Sequence, residues 1–412
     1  MSHSSTTPLI DDAVSAGSTG ARRLVLTFLT TAILGLLGVA GLNMLADPYG
    51  AFGVDLIPAD SRTGDSRTAR AEMLRRFTGE TLLVGSSRTR VGYDAGLSFI
   101  PGGPACNLGL DGTHLSELVL VVQQAAANPH VRRIVLSLDM HLCDRRWQPN
   151  ADFRCSRFNP DRSALEHECD LLWNGRSIEA SFRAIRGALR GKANLHDERG
   201  FAVNAGRKFE TASQATRTKA ALKQLCGAEG LLAERQTDET TREQLAAMVS
   251  ACRDRGIELI VVLDPVHALL LEGMRQRGDW PAYLDWKRDV VELATEQGAT
   301  VWDFTGYTRW TTEPLLESEA ANSRWFWEPS HMRRELGDLV LQRIFHDPAA
   351  DASFGVELTS DRLPEQIATT ELTRLDWLAG QRQETEALAR LLQSQPTATT
   401  VQAADKSRST RR

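Results

Sequence analysis

The chain has 412 residues, 42% of them hydrophobic and 25% charged, and a net charge of -5. That size and make-up suit one large globular domain or two smaller ones. The acidic balance argues against general nucleic-acid binding, which needs a basic face.

Residues 1–23 open with a stretch rich in Ser, Thr, Gly and Ala and free of apolar periodicity, which predicts a disordered tail. Arg22 and Arg23 close it. The run LVLTFLTTAILGLLGVAGLNMLA, residues 24–46, follows without a charge. About 20 apolar residues cross a bilayer core as a helix, so this run is long enough for a transmembrane anchor. It is apolar all round, unlike a core helix, and longer than the roughly 7–15 apolar residues of a cleaved signal peptide. Two arginines before it and Asp47 after it predict a cytoplasmic N-terminus. The chain from about residue 47 then lies in the periplasm or outside the cell.

Five short apolar runs come next: TLLVG (81–85), PACNLG (104–109), RRIVLSLD (132–139), IELIVVLD (257–264) and TVWDF (300–304). Helical patterns such as HLSELVLVVQQAAAN (114–128) and YLDWKRDVVELATEQG (283–298) alternate with them. This alternation predicts a parallel five-stranded sheet with helices on both faces, within a domain spanning 47–345. Ligands of such sheets bind at the carboxyl ends of the strands. Residues 144–255 interrupt the pattern and read as a mostly helical insertion capping those ends, its charges solvated. Residues 346–412 read as a polar linker, a helix over 364–393 and a polar tail. Six cysteines, none in CxxC spacing, give no support to a metal site; buried thiols and disulfides both stay open. No cofactor is expected.

Three places along the chain carry chemistry. In TLLVGSSRTR, Gly85 permits a sharp turn at the end of a strand, and Ser86 and Ser87 stand where the chain leaves the sheet. A serine there can project from the strand end, and its N–H can face an oxyanion. A literal Gly-Asp-Ser in TGDSRT, residues 63–68, has no strand before it and reads as a loop. In NLGLDGTHLSE, residues 107–117, Gly109 and Gly112 follow a strand and precede a helix, with Asn107, Thr113 and His114 beside them. In FWEPSHMRRELGDLVLQRIF, residues 326–345, Glu328 and His331 stand three apart. A histidine can take a serine proton while a carboxylate orients its ring; capping of the following helix is the structural alternative.

These blocks, in this order, resemble the SGNH or GDSL hydrolase superfamily over about residues 80–345. The resemblance implies a flavodoxin-like three-layer α/β/α fold. It implies Ser87 as nucleophile, Gly112 as an oxyanion glycine after Asn107, His331 as base and Glu328 as its partner. Three departures stand out. Ser86 replaces the usual Asp of the first block, and Glu328 replaces the Asp of the last. The oxyanion Asn of the third block is missing, and His141, after IVLSLDM, falls near its position. A second Asp-x-x-His, Asp264 to His267, follows strand IELIVVL. The family places its own copy just before the last helix, so His331 is preferred as base and His267 becomes a pocket contact. Arg88, beside the serines, could bind an anionic group. Trp325, Phe326 and Trp327 could stack on a sugar or pack in the core.

The pattern also looks like membrane-anchored SGNH-like proteins that modify cell-envelope polymers, such as the alginate O-acetylation proteins and the D-alanyl-transfer protein of teichoic acid synthesis. This implies an esterase or O-acyltransferase acting on an envelope glycan or lipid-linked saccharide, with a membrane acyl-donor protein as a conceivable partner. The alternative is a catalytically inactive scaffold of the same fold that binds polysaccharide or a membrane partner.

Overall fold

The structure is a computed structural model that describes residues 9–64, 66–143, 150–191, 196–227, 239–316 and 323–393, without the side chains of residues 9–19 and 60. The first residues of the expected tail, Asp65 of the literal Gly-Asp-Ser and the polar tail after 393 lie outside the described residues. In chain order come α1 (Leu9–Ala46), α2 (Arg67–Arg76), β1 (Thr81–Val84), α3 (Ser87–Gly92), β2 (Cys106–Asn107), α4 (Leu115–Ala127) and β3 (Arg133–Leu138). Helices α5 (Ala151–Cys155), α6 (Ala164–Trp173), α7 (Gly175–Leu189), α8 (Gly206–Phe209), α9 (Gln214–Cys226) and α10 (Glu239–Arg253) follow. Then come β4 (Glu258–Leu263), α11 (Ala268–Arg277), α12 (Trp280–Glu296) and β5 (Thr300–Asp303). The chain continues through β6 (Phe326–Glu328), β7 (His331–Met332), α13 (Arg334–Ile344), β8 (Val356–Leu358), α14 (Leu363–Gly380) and α15 (Arg382–Gln393).

The main sheet runs β2-β1-β3-β4-β5-β8. The pairs from β2 through β5 are parallel. The edge strand β8 is antiparallel to β5, Trp302 facing Glu357. The expected five-stranded sheet therefore gains a sixth strand from the segment read as a linker. Three residues with two exposed positions give too short a pattern to announce it.

The strands are buried on both faces, as their near-continuous apolar runs require. Leu82, Val84, Ile134, Leu136, Val261 and Leu263 join one core with α4, α10, α11 and α12. Leu83, Val135, Ile260, Val262 and Trp302 join the other with Tyr93 and α13. The C-terminal region belongs to this domain, because Trp377, Leu388 and Leu392 sit in the first core. The single helix expected over 364–393 is two, α14 and α15, divided at Gln381.

Two further readings change. Helix α1 starts at Leu9, well inside the tail read as disordered. Extending an existing helix costs far less than nucleating one, so the apolar run carries the helix back into polar sequence. The insertion is mostly helical in its described part, but α10 packs in the first core through Leu245, Met248 and Cys252. It is the crossover between β3 and β4.

One close approach sets where the C-terminal block lies. A Cβ on Gly337 of α13 would meet the Gly92 carbonyl oxygen at 1.8 Å, and one on Gly92 would meet the Met332 side chain at 2.5 Å. These bare glycines let α13 and β7 close on α3. Gly337→Ala should therefore cost about 1–3 kcal/mol by overpacking, read as a lowered midpoint in urea unfolding with an unchanged slope.

Candidate active site

Gly85 ends β1 in a place too tight for any side chain. A Cβ would lie 2.2 Å from Thr89 Oγ1 and 2.9 Å from Ser137 Cβ. The chain then enters α3 at once. Ser86 is its N-cap, its Oγ accepting from Arg88 N–H at 3.3 Å, and Ser87 is the first helical residue. Position 86 thus holds a helix cap that also donates to Asp139 at 3.3 Å.

His331 comes from a different element. It stands just before a helix, as expected, since α13 begins three residues later, and it lies on β7 of a small antiparallel hairpin, paired with Glu328 of β6. Close packing of β7 on α3 brings Ser87 Oγ to 2.8 Å from His331 Nε2. His331 Nδ1 hydrogen-bonds Glu328 Oε1. Ser330 donates its Oγ to Oε1 at 2.7 Å and its N–H to Oε2 at 3.0 Å. Burial pushes the Glu328 carboxyl up, but the charge and hydrogen bond of His331 and the two bonds from Ser330 outweigh it, and its pKa falls from 4.5 to about 2. An ionised Glu328 can only accept, so the proton sits on Nδ1. Nε2 is then left to accept the Ser87 hydroxyl proton.

The serine opens on a cleft of about 510 Å³ lined by Gly112, Arg88 and His141 as well as by the relay. Gly112 has a φ of +54° and nothing within 4 Å of where a Cβ would stand. Its backbone is therefore presented to open space. Arg88 is buried, 3.3 Å from Asp139 Oδ2, and donates from Nη2 to His141 at 3.1 Å. His141 Nδ1, the atom it meets, also lies 3.0 Å from Asp139 Oδ1, so the ring is held between the guanidinium and the carboxylate. His141 thus lines the cleft as part of this charged cluster.

Other candidates fall outside it. Asn107 is fully buried. Its amide donates to the carbonyls of Thr89 and Tyr93 at 2.8 and 2.7 Å and accepts from Gly109 N–H at 2.9 Å. It clamps α3 to the glycine loop and is not placed to touch a substrate. His267 is buried as the N-cap of α11, bonded to the Glu313 carbonyl at 2.7 Å. Burial lowers its pKa to about 4, and it does not line the cleft. Asp264 accepts from Tyr93 and Ser137 within the core. The literal Gly-Asp-Ser supplies Ser66, which caps α2 by accepting from Ala69 N–H at 3.1 Å. His114 likewise caps α4. Phe326 is buried, and Trp327 is sandwiched between Phe209 at 5.3 Å and the Arg333 guanidinium at 3.7 Å.

The insertion contributes more than solvated charge. Lys208, Phe209, Arg217 and Gln224 form the far wall of the cleft. Arg217 donates to the Trp327 carbonyl at 3.1 Å, which ties α9 to the hairpin that carries the histidine. Nothing in the periodicity of α9 marks this arginine off from its neighbours. The capping alternative puts Pro329 and Ser330 at the helix start; Ser330 bonds Glu328 instead, and the N-cap of α13 is Arg333.

No family model matches this chain, and no curated protein matches it in sequence. No group of three or more metal-ligating side chains occurs among the described residues.

Glu328 titrates lower in the folded chain than unfolded, so its contribution to stability is complete above pH 4.5 and is lost as the pH falls towards 2. Urea unfolding of the wild type should therefore weaken more steeply over that window than unfolding of Glu328→Gln. Parallel curves would show that the carboxylate is not held charged.

Proposed function

We propose that this chain is a membrane-anchored serine enzyme of the SGNH type, an esterase or O-acyltransferase working on an envelope glycan or lipid-linked saccharide. The observation that carries the reading is the Ser87–His331–Glu328 relay at the carboxyl end of β1, open to a cleft. The strand order supports it, since 2-1-3-4-5 is the flavodoxin-like arrangement.

In this mechanism Ser87 Oγ attacks the carbonyl carbon of an ester while its proton passes to His331 Nε2. Glu328 holds the ring in the required tautomer and stabilises the imidazolium. Negative charge grows on the former carbonyl oxygen. The first N–H groups of a helix have no intrahelical acceptor, so Ser87 N–H can receive that oxygen together with Gly112 N–H. His141, near the place of the missing asparagine, lines the same cleft. The tetrahedral adduct collapses, the C–O bond to the alcohol breaks, and His331 returns its proton to the leaving oxygen. The acyl-Ser87 ester is then attacked by water or by a sugar hydroxyl, deprotonated by His331 in its turn; the acyl–Oγ bond breaks and His331 returns that proton to Ser87. Water gives a carboxylic acid and a sugar hydroxyl gives a new ester. A membrane protein that delivers the acyl group fits the second route.

Helix α1 is read as a retained anchor. Its apolar part, Gly20–Ala46, has a mean hydropathy of 2.2 in its most apolar window. Its last turns are tied into the domain by Asn43, which donates to the Leu172 carbonyl at 2.8 Å and accepts from Ser181 at 2.7 Å. A segment meant for removal has no need of such bonds. The paired arginines keep its N-terminus in the cytoplasm on this reading, with the cleft on the other side.

The test is release of acetate from an O-acetylated oligosaccharide by the full chain, with and without an unacetylated acceptor. Ser87→Ala and His331→Ala should each lower the turnover by about 10⁴-fold or more. Turnover by Ser87→Ala equal to the wild type would end the catalytic reading and leave a binding scaffold.

A further inference from the structure

The helical insertion meets the anchor well before the anchor ends. Trp173, at the corner between α6 and α7, donates its indole N–H to the Leu36 carbonyl at 3.0 Å. Ser181 reaches Asn43, and Ala184 packs with Ala46 and Ile57. Contacts thus advance along α7 and α1 together, and α7 runs beside the last turns of α1. Small residues make the close face: Ala180, Ser181 and Ala184 are all buried.

Depth follows from the helix rise. A hydrocarbon core of about 30 Å takes about 20 residues at 1.5 Å each. Counted from Leu24, the first residue after the arginine pair, that thickness ends near Asn43. Leu36 is seven residues earlier, about 10 Å deeper along the axis. The α6–α7 corner therefore reaches below the level at which the anchor leaves the lipid.

Its exposed side chains suit that depth. Trp173 and Phe182 are 42% and 55% exposed. Leu56, on the loop after the anchor, is 69% exposed next to Ile57 of the same cluster. Arg183 and Arg186 stand exposed on α7 beside this apolar edge, while Arg176, also exposed, donates to Cys155 Sγ at 3.8 Å. The acidic group on the same face is Glu179, paired with Arg183 at 2.6 Å. Aromatic rings at the boundary, with long cationic side chains reaching for phosphate, mark a surface made for the membrane interface.

We propose that the α6–α7 corner is a second membrane contact, seated in the outer-leaflet interface beside the anchor, with Trp173 deepest and Arg183 and Arg186 on lipid phosphates. It rests on the reading of α1 as a membrane span. Two contacts in place of one fix the tilt of the domain, so the cleft keeps a set orientation over the bilayer rather than swinging on a single helix.

The test uses the full chain, one copy per phospholipid nanodisc, with Cys155 and Cys169 changed to Ser and a nitroxide placed at one site at a time. The sites are Gly175→Cys, Phe182→Cys, Ile33→Cys within the anchor and Arg288→Cys on distant α12. Gly175 has open space where its Cβ would stand, and Phe182 and Arg288 are exposed, so folding should survive each change. Collision with oxygen, which concentrates in lipid, is compared with collision with a water-soluble nickel complex. The expected result is an oxygen-to-nickel ratio at 175 and 182 several-fold above that at 288, higher at 175 than at 182, with 33 the highest. A high ratio at 33 with 175 and 182 equal to 288 overturns the proposal and leaves the anchor standing. A low ratio at 33 overturns both. Sites 175 and 182 shut to both reagents would assign the corner to a protein contact instead of lipid.

Discussion

A carboxylate kept charged in a nearly buried place is the constraint around which the site is arranged. Glu328 is 6% exposed, and desolvation alone would favour its neutral form. Only the ring of His331 and the two donors of Ser330 reverse that. All three residues must therefore sit on one short hairpin with fixed geometry. The hairpin in turn has to stand where the first strand ends. Two glycines without side chains, Gly92 and Gly337, let α3, β7 and α13 approach closely enough for that. The stability of the C-terminal block and the position of the imidazole are one problem with one solution.

The strand-end turns were legible because their determinants are local. A β-branched or leucine-rich run followed by glycine and serine specifies a strand, a tight turn and a helix cap within a few residues. Ser87 follows such a turn, and Gly112, Glu328 and His331 line the same cleft. The same logic separated the two serine turns, since Ser66 lacks a strand before it and serves as an ordinary cap.

What stayed illegible depends on partners distant in sequence. Asn107 looks like a site residue by position, yet a buried amide must satisfy its bonding groups. Three backbone groups around it do so. His267 has an Asp three residues before it, but the fold turns its ring to the Glu313 carbonyl and gives Asp264 to Tyr93 and Ser137. The short strand β8 and the split between α14 and α15 depend on packing against the body, which periodicity does not encode. In the insertion, an arginine that lines the cleft and one that faces solvent have the same spacing along an amphipathic helix.

The central claim is that Ser87 is an activated nucleophile, and covalent capture tests it most directly. The folded full chain in detergent would be treated with a fluorophosphonate and the modified peptide located by mass spectrometry, with Ser87→Ala and His331→Ala alongside. The account predicts a single phosphonylated serine at 87, absent from both variants. Modification at Ser66, or a folded chain that takes no label, would contradict it.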